Sequence, residues 1–271
     1  MTAPSLLDLY HVASKHSNYQ VLPTALAPFL HNDDITVQSR CERERLAYIM
    51  AKLPVAGRHV ADIGGNTGFF SFELLARGAS RIEYYEGNAA HHGFVSAAAA
   101  QLGLSERLHA HHEYVTFEAG GLPRVDATLL LNVLHHLGDD FGDPALAREA
   151  AKQHMLDCLA TMAQSTEQLV FQLGFNWKGD RHLPLFPAGS KAEMIDFLTV
   201  GTAADWTIVA IGIAERRDGE VRFRDLTSAN ISRDDSLGEF LNRPIFILQS
   251  RHVAPGHPAS STDPVPGAIH A

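Results

Sequence analysis

A short apolar segment that ends in an acid and runs into closely spaced glycines is the feature that most constrains how this 271-residue chain can fold. The segment covers residues 59–78 and reads HVADIGGNTGFFSFELLARG. Its apolar start predicts a buried strand, and the pattern from Phe69 to Arg77 predicts a helix. A turn this rich in glycine lets a ligand approach backbone N–H groups at the start of the helix. We therefore expect a ligand site between a strand and a helix.

Strand-like and helix-like segments alternate along most of the chain. Apolar runs predict six strands, and helical patterns or capping signals separate most of them. These strands cover residues 58–63, 81–86, 107–115, 126–132, 167–174 and 206–215. Repeated strand–helix units form a parallel sheet with helices on both faces. The pattern thus predicts an α/β fold with a mainly parallel sheet.

Local capping signals predict where several helices begin. Asp143 followed by Pro144 is a favourable N-cap and first-turn pair for a long helix. The sequence SKAE at residues 190–193 is a capping box. A further helix is predicted over residues 36–52, before the first strand. These signals add a helical segment at the N-terminus to the strand–helix units.

The last third of the chain departs from this alternation. An Asp-Gly turn at residues 218–219 predicts a hairpin or an extended excursion. Residues 243–250 are an apolar run that no helix precedes, which predicts an antiparallel last strand and a seven-stranded sheet. The segment 253–271 is rich in Pro, Ser and Gly and is predicted to be a disordered tail. The predicted organisation is an N-terminal helical or lid segment at 1–52, a main domain at 53–252 and the tail.

Charge and cysteine content exclude several classes of protein. The formal net charge is −9, and this argues against a nucleic-acid partner, because such binding depends on dense clusters of Lys and Arg. The two cysteines, Cys41 and Cys158, are far apart and suggest neither a disulfide framework nor a thiolate zinc site. No leader and no apolar run of ~18 residues is visible. We expect a cytoplasmic protein without a membrane partner; its oligomeric state stays open, with a homodimer as one option.

The order of the acid and the glycines narrows the class of ligand. Asp62 comes before Gly64, Gly65, Asn66 and Gly68. A nicotinamide or flavin site normally has the pattern G-x-G-x-x-G, with its acid after the turn. A carboxylate at the end of the strand suits an ammonium group better than a pyrophosphate. The order therefore opposes a dehydrogenase and favours a cofactor that carries an amino acid moiety.

The same residues resemble motif I of the class I S-adenosylmethionine-dependent methyltransferases, an acid followed by G-x-G-x-G. The middle glycine of that motif is Asn66 here, and asparagine is the non-glycine residue that best tolerates positive φ. Residues 126–140, DATLLLNVLHHLGDD, resemble the family's fourth-strand motif. The resemblance implies a Rossmann-like, doubly wound sheet with an N-terminal helical addition, and S-adenosyl-L-methionine as the cofactor.

The resemblance also implies which residues bind the cofactor. The family places an acid at the end of the second strand to bind both ribose hydroxyls, and Glu86 stands there. An acidic or polar residue after the third strand often meets the adenine amino group, and Glu113 and His112 are equal candidates. The implied cofactor-binding residues are Asp62, Gly64, Gly65, Asn66, Gly68, Glu86, Gly87, Glu113 and Asn132.

Two adjacent histidines follow the fourth strand, where this family lines its methyl-transfer site. A hydroxyl acceptor benefits from losing its proton as it attacks, and an imidazole is suited to take that proton. We predict His136 as the general base, with His135 as the alternative. The competing interpretation is that both histidines are structural. Asp139 and Asp140 lie beside them, but loop acids explain these residues better than metal ligands do, so no metal site is predicted.

Residues 174–186, GFNWKGDRHLPLF, are the leading candidate for substrate recognition. They follow the fifth strand, whose carboxyl end faces the same cleft as that of the fourth. Trp177 is predicted to stack on a ring, and Lys178 and Arg181 to bind polar or anionic groups.

Two more segments are weaker candidates for contact with the substrate. Residues 10–19 are predicted to cover the cleft, and residues 236–244 to reach it through Asn242 and Arg243. The sequence as a whole predicts S-adenosylmethionine-dependent methyl transfer to an oxygen or nitrogen of a small molecule. The alternatives are a non-catalytic S-adenosylmethionine-binding subunit and a methyltransferase that acts on RNA with a partner.

Overall fold

The computed structural model describes residues 5–12, 19–30, 35, 37 and 39–254. Eight strands form one sheet. They are β1 His59–Ile63, β2 Arg81–Tyr85, β3 Leu108–His111, β4 Val125–Leu131, β5 Thr166–Gln172, β6 Trp206–Arg217, β7 Glu220–Asp225 and β8 Ile245–Ser250. Their order across the sheet is β3-β2-β1-β4-β5-β8-β6-β7. The prediction of an α/β fold with a mainly parallel sheet is confirmed.

The antiparallel part of the sheet lies at its C-terminal edge. Strands β1 to β5 pair in parallel, whereas β8 lies antiparallel between β5 and β6. Strand β7 pairs antiparallel with β6 across the turn at Asp218 and Gly219, both of which have positive φ. The predicted antiparallel last strand is thus present. The predicted total of seven strands is wrong by one, because the Asp-Gly turn closes a hairpin whose polar, alternating second strand joins the sheet.

Seven α-helices lie in the described part of the chain. They are α1 Leu6–Tyr10, α2 Glu42–Lys52, α3 Phe69–Ala76, α4 Ala89–Gln101, α5 Arg148–Met162, α6 Lys191–Gly201 and α7 Gly238–Leu241. None of them is long and apolar enough to cross a membrane. The capping box predicted at Ser190 and Glu193 is present at the start of α6.

Two predicted helix starts differ from the structure. Helix α5 begins at Arg148, not at Asp143, because the Asp143 carboxylate accepts a hydrogen bond from the Ala145 N–H (2.8 Å) and closes a local turn instead. Helix α2 begins at Glu42, after Cys41 in the left-handed conformation. Thr36, where that helix was predicted to start, lies outside the described residues.

Two buried clusters cover the two faces of the sheet. Val60 belongs to the first cluster, whereas Ala61 and Ile63 belong to the second, because successive strand residues point to opposite faces of the sheet. Helices α2, α3 and α4 contribute to the first cluster, and α5 and α6 to the second. The described N-terminal residues, including Leu6, are part of the first cluster. The boundary at residues 52 and 53 stays a prediction.

The predicted tail begins slightly too early. Val253 is buried, and its N–H donates to the Ser250 hydroxyl at 3.0 Å. The folded chain therefore includes the first residue of the predicted tail. Residues 255–271 lie outside the described part of the chain, so the rest of that prediction is not tested.

Glu83 is a buried acid on β2, and arginine and histidine side chains surround its carboxylate. It bonds His111 at 2.7 Å and His59 at 2.9 Å, and it pairs with Arg81. Burial opposes its ionisation, but the hydrogen bonds from His111 and His59 and the charge of Arg81 outweigh burial and lower the pKa of Glu83. The ionised carboxylate thus stabilises the contact between the first three strands.

Glu83→Gln should lower the free energy of unfolding at pH 7 by about 1.5 to 3 kcal/mol, the scale of hydrogen bonds to a charged group. Since the folded pKa lies below the ordinary value, this stabilisation is present above that value and is lost as the pH falls through the folded pKa. Urea unfolding at pH 7 and pH 4 measures the difference, with exposed Glu106→Gln as the control. A difference that is equal at both pH values would contradict this account.

Candidate functional site

A cleft of about 670 Å³ opens at the carboxyl ends of the parallel strands. Residues that follow β1, β2, β3 and β4 form one side of it, and residues from the N-terminal segment and from around α7 form the other. Open α/β sheets bind ligands at this edge, where the loops after neighbouring strands meet. The cleft is therefore the candidate site.

The turn after β1 has the backbone shape that its sequence predicts. Gly64, Asn66 and Gly68 all have positive φ, at 69°, 52° and 78°. The Asn66 side chain stabilises this turn by accepting the Thr67 N–H at 2.8 Å. Asn66 thus takes the place of the missing motif glycine, as expected. Gly64, Gly65 and Asn66 line the cleft, whereas Gly68 lies at the N-terminus of α3.

The packing of the turn also requires its glycines. A Cβ atom at Gly64 would lie 2.6 Å from a methyl group of Val133, and one at Gly65 would lie 2.5 Å from the Tyr84 ring. Real Cβ atoms do not approach other atoms this closely. Substitution of either glycine would therefore disturb the fold as well as ligand binding. Such a variant cannot distinguish a loss of binding from a loss of folding.

Asp62 is a buried carboxylate at the end of β1 that faces the cleft. It accepts a hydrogen bond from the Ser71 hydroxyl at 2.6 Å. Burial raises the pKa of Asp62 to about 6, since the bond from Ser71 opposes that effect only in part and the negative charge of Glu86 adds to it. A cation in the cleft would stabilise the ionised form of this carboxyl group.

Glu86 lies directly after β2, on the same side of the cleft as Asp62. Its carboxylate accepts the N–H groups of Asn66 at 2.9 Å and Asn88 at 2.8 Å. Gly87 follows it, and a Cβ atom there would lie 2.3 Å from the Tyr114 ring, so the bare backbone allows that ring to pack over it. The predicted acid of the second strand is thus at the cleft.

The structure separates the two candidates after β3. Glu113 is exposed and lines the cleft. His112 stacks on His92, with 5.0 Å between ring centroids, and does not line the cleft. Of the two, Glu113 is the residue that a ligand in the cleft can reach.

Asn132 connects the end of β4 to the other side of the cleft. Its amide nitrogen donates to the Gln172 side-chain oxygen at 2.8 Å, and its oxygen accepts from Arg243 at 2.8 Å. Its φ of 64° turns the chain sharply at the end of β4. These contacts hold Arg243, one of the residues predicted to reach the substrate, in the cleft. The other candidate of that segment, Asn242, is buried and binds backbone groups of Asp234 and Gly238, so its role is structural.

Both histidines after β4 line the cleft, but their surroundings differ. His135 is 2% exposed, and its Nδ1 accepts the Gly174 N–H at 3.3 Å. The side chain of His136 is 17% exposed, and its Nδ1 lies 3.3 Å from an oxygen of Asp140. An acid beside one ring nitrogen is the arrangement that orients a histidine whose other nitrogen acts as a base. Of the two rings, that of His136 is the more accessible from the cleft, and its role as a base stays a prediction.

The structure brings His136, Asp139 and Asp140 close together. One ligand-capable atom from each lies within 4.8 Å of the others. Exposed acids commonly cluster in this way without an ion. The prediction that the protein has no metal site is not tested by this arrangement and stays a prediction.

Only one of the three predicted substrate-binding residues after β5 lines the cleft. Lys178 does so; its ammonium group lies 3.1 Å from the Pro144 carbonyl oxygen and 4.5 Å from the centre of the Trp177 ring. Trp177 is buried and donates its indole N–H to the Leu137 carbonyl at 2.7 Å. Arg181 is exposed outside the cleft. The predicted stacking role of Trp177 does not fit, because the indole is part of the core, and the predicted binding role of Arg181 does not fit, because its side chain lies outside the cleft.

An aromatic and arginine-rich side of the cleft was not predicted from the sequence. Arg40 and Arg45 enter from the N-terminal segment, and Phe240 enters from α7. One signal was available for Arg45, which lies on α2 one residue before Leu46 and four before Ile49, both buried. A charged residue on the apolar face of a helix usually has a partner or a ligand. Phe240 lies within residues 236–244, which were predicted to reach the cleft, but no pattern singles it out from that segment.

The described end of the predicted cover does reach the cleft. Tyr19 lines it, as does Gln20, the residue after the predicted cover, whose side chain accepts the Phe69 N–H at 3.2 Å. This bond holds the N-terminal segment against the start of α3. Residues 13–18 of the predicted cover lie outside the described residues.

No protein-family model matches the sequence, and no curated protein matches it. Among solved structures, the chain is similar to WbdD in complex with a kinase inhibitor, with 14% identity and a TM-score of 0.57. This match covers 90% of the chain and 47% of WbdD, so the chain spans about half of that protein's length. A second structure, of the bifunctional kinase-methyltransferase WbdD, matches with 15% identity and a TM-score of 0.52 over 90% of this chain and 46% of that one.

Another match is magnesium protoporphyrin IX methyltransferase from Synechocystis PCC 6803 with bound S-adenosylmethionine. It has 14% identity, a TM-score of 0.46 and 76% coverage of each chain. A proposed RNA methyltransferase from Pyrococcus horikoshii matches with 12% identity and a TM-score of 0.46, over 89% of this chain and 97% of that one. At these identities the similarity to WbdD concerns the fold alone, and it agrees with the mainly parallel α/β sheet described above.

Proposed function

We propose that this chain is an S-adenosylmethionine-dependent methyltransferase that acts on an oxygen or nitrogen of a small molecule in the cytoplasm. The observation that carries the proposal is the pair of acids, Asp62 and Glu86, on either side of a glycine turn in one cleft. No opposite charge neutralises Asp62 in the described part of the chain, and burial has raised its pKa to about 6. A cofactor with a cationic amino acid end supplies the missing positive charge.

The residues present fit this cofactor in three further respects. Glu86 stands at the end of β2, where the family binds both ribose hydroxyls. Gly64, Gly65 and Gly87 leave the backbone open to close approach. Glu113 borders the cleft where the family meets the adenine amino group. We propose that these residues and Asn132 hold the cofactor.

S-adenosylmethionine, when bound, supplies a methyl group on a positively charged sulfur that a nucleophile can attack. The protein's task is then to hold that nucleophile in line and to take up its proton. We propose that His136 accepts the proton from a hydroxyl acceptor and that Asp140 orients its ring. His135 is buried and bonded to the backbone, so it would hold the loop after β4 in position. Lys178 would help to enclose the acceptor in the cleft.

Asp62→Asn should weaken the binding of S-adenosylmethionine and also stabilise the cofactor-free protein at pH 8. The folded pKa of Asp62 is raised to about 6, so the protonated form stabilises the fold at low pH and that contribution is lost as the pH rises through about 6. The neutral asparagine avoids this loss, which is on the order of 3 kcal/mol. Affinity in the parent protein should fall below about pH 6, where Asp62 becomes protonated.

Thermal unfolding at pH 5 and pH 8, with calorimetry at the same values, checks both effects. The variant should bind the cofactor weakly at both pH values. Lower stability of the variant at pH 8 would show that Asp62 serves the fold through its bond to Ser71, and it would contradict the proposed role.

The proposed activity can be tested with methyl-labelled S-adenosylmethionine and a panel of metabolites and cell extracts. Transfer of label to a small molecule supports the proposal. Transfer to RNA only, in the presence of a protein partner, would favour the RNA-methylating alternative. Tight cofactor binding with no transfer to any acceptor would favour the non-catalytic subunit.

A further inference from the structure

Three arginines converge on one phenylalanine ring on the acceptor side of the cleft. The guanidinium carbons of Arg40, Arg243 and Arg45 lie 4.6, 4.9 and 5.1 Å from the centre of the Phe240 ring. All four residues line the cleft. The positive charges therefore share one small region, although the chain as a whole carries a net charge of −9.

Two carboxylates neutralise only part of this charge. Glu239 binds Arg243 through two bonds, at 2.6 and 3.0 Å, and Glu42 binds Arg45 at 3.2 Å. The Arg40 guanidinium makes no ion pair or hydrogen bond within the described part of the chain; it packs over the rings of Phe240 and Tyr19. Glu239 and Glu42 also attract the Arg40 charge, so the three arginines share two carboxylates and keep one positive charge in excess.

The hydrogen-bonding capacity of the cluster is also incomplete. Arg45 is 4% exposed, and its Nε–H has no hydrogen-bond partner among the described residues. A buried donor of this kind costs stability unless a ligand or water accepts from it. Burial lowers the pKa of Arg45 to about 10, and burial together with the charge of Arg243 lowers that of Arg40. Burial of the positive charges therefore destabilises the cluster more than their mutual repulsion does, and a bound anion would offset part of this cost.

The two sides of the cleft have opposite electrostatic character. Asp62, Glu86 and Glu113 lie on the side that we assign to the cationic cofactor, and the arginines lie on the other. The Asn132 side chain joins the two sides through its bond to Arg243. An anion would bind on the arginine side rather than beside the three acids, in a cleft that His136 also lines.

We infer that the methyl acceptor is a small molecule that carries an oxyanion, a carboxylate or a phosphate, which Arg40 and Arg45 bind above the Phe240 ring. The inference rests on the proposed function, whose cofactor side it leaves unchanged. Guanidinium groups match both oxyanions, because their N–H donors form paired bonds to such oxygens. The face of Phe240 then orients the guanidinium planes.

Calorimetry with phenyl phosphate and benzoate as probes, and with neutral benzamide as a control, tests the inference. At least one anion should bind the parent protein about 10-fold or more tightly than benzamide does, since one charge-assisted hydrogen bond accounts for that ratio. Arg40→Gln should remove this preference. Arg233→Gln is the matched control: Arg233 also packs over a ring, that of Phe175, but it pairs with Asp235 and lies outside the cleft.

S-adenosylhomocysteine is titrated in parallel, so that a loss of cofactor binding can be distinguished from a loss of anion binding. Arg40→Gln should leave that affinity unchanged, which also shows that the variant is folded. Equal binding of the anions and benzamide would overturn the inference, as would equal losses in the Arg40 and Arg233 variants. Binding of a short single-stranded RNA with no affinity for either small anion would overturn it in favour of an RNA acceptor. The ranking of phenyl phosphate and benzoate identifies the oxyanion.

Discussion

Replacing His136 with Gln should lower turnover by ~10² to 10⁴ and leave the affinity for S-adenosylmethionine near normal, because that range is typical for the loss of a general base. The ring lies beside Asp140 and is partly exposed in the cleft, so it can meet an acceptor. Glutamine keeps a polar group of similar size but cannot take up a proton. The limb of the pH–rate profile in which the imidazole gains its proton should also disappear.

His135→Gln is the matched control for this experiment. His135 is buried and accepts a backbone N–H, so its replacement should affect stability more than the pH–rate profile. If both variants keep nearly full turnover with the same acid limb, neither histidine is the base. Catalysis would then rest on positioning alone, which favours an amine acceptor over a hydroxyl.

Glu86→Gln should weaken the binding of S-adenosylmethionine by about 1.5 to 3 kcal/mol, the scale of hydrogen bonds to a charged group. The structure adds a second reason for this loss. The carboxylate also accepts the N–H groups of Asn66 and Asn88, and so it helps to hold the glycine turn in shape. Glutamine can accept only one of these bonds with its single oxygen.

Glu83→Gln provides the control, because Glu83 lies on β2, just before Glu86, but outside the cleft. It should lower stability and leave the affinity for the cofactor unchanged in the folded protein. Isothermal titration of both variants measures the difference. An unchanged affinity in Glu86→Gln would mean that Glu86 serves only the turn and does not contact the cofactor.

The parts of the molecule that the sequence predicts well depend on neighbouring residues. The strand, the glycine turn and the helix of residues 59–76 follow from local periodicity and from the tolerance of Asn66 for positive φ. Asp62 and Glu86 are also local features, since each stands at the end of a predicted strand. Because parallel strands bring such ends to one edge of the sheet, the sequence alone is enough to place the two acids together.

The parts that the sequence does not predict depend on contacts between distant segments. Arg40, Arg45 and Phe240 meet because α2 and the residues just before it contact α7, which is distant in the sequence. Trp177 has the composition of a binding residue, but the backbone carbonyl of Leu137 accepts its N–H and holds the ring in the core. Asp143 has the sequence of a helix cap, yet it closes a turn before α5. In each case the partner lies outside the local pattern or offers a competing hydrogen bond.

Calorimetric titration of the full chain with S-adenosylmethionine and, separately, with NAD tests the central claim most directly. The acid that precedes the glycines, its buried and raised-pKa carboxyl group and the position of Glu86 all favour the sulfonium cofactor. We predict saturable binding of S-adenosylmethionine and of S-adenosylhomocysteine, and no binding of NAD under the same conditions. Binding of NAD without binding of S-adenosylmethionine would contradict the account and indicate a nucleotide-binding enzyme of similar sheet topology.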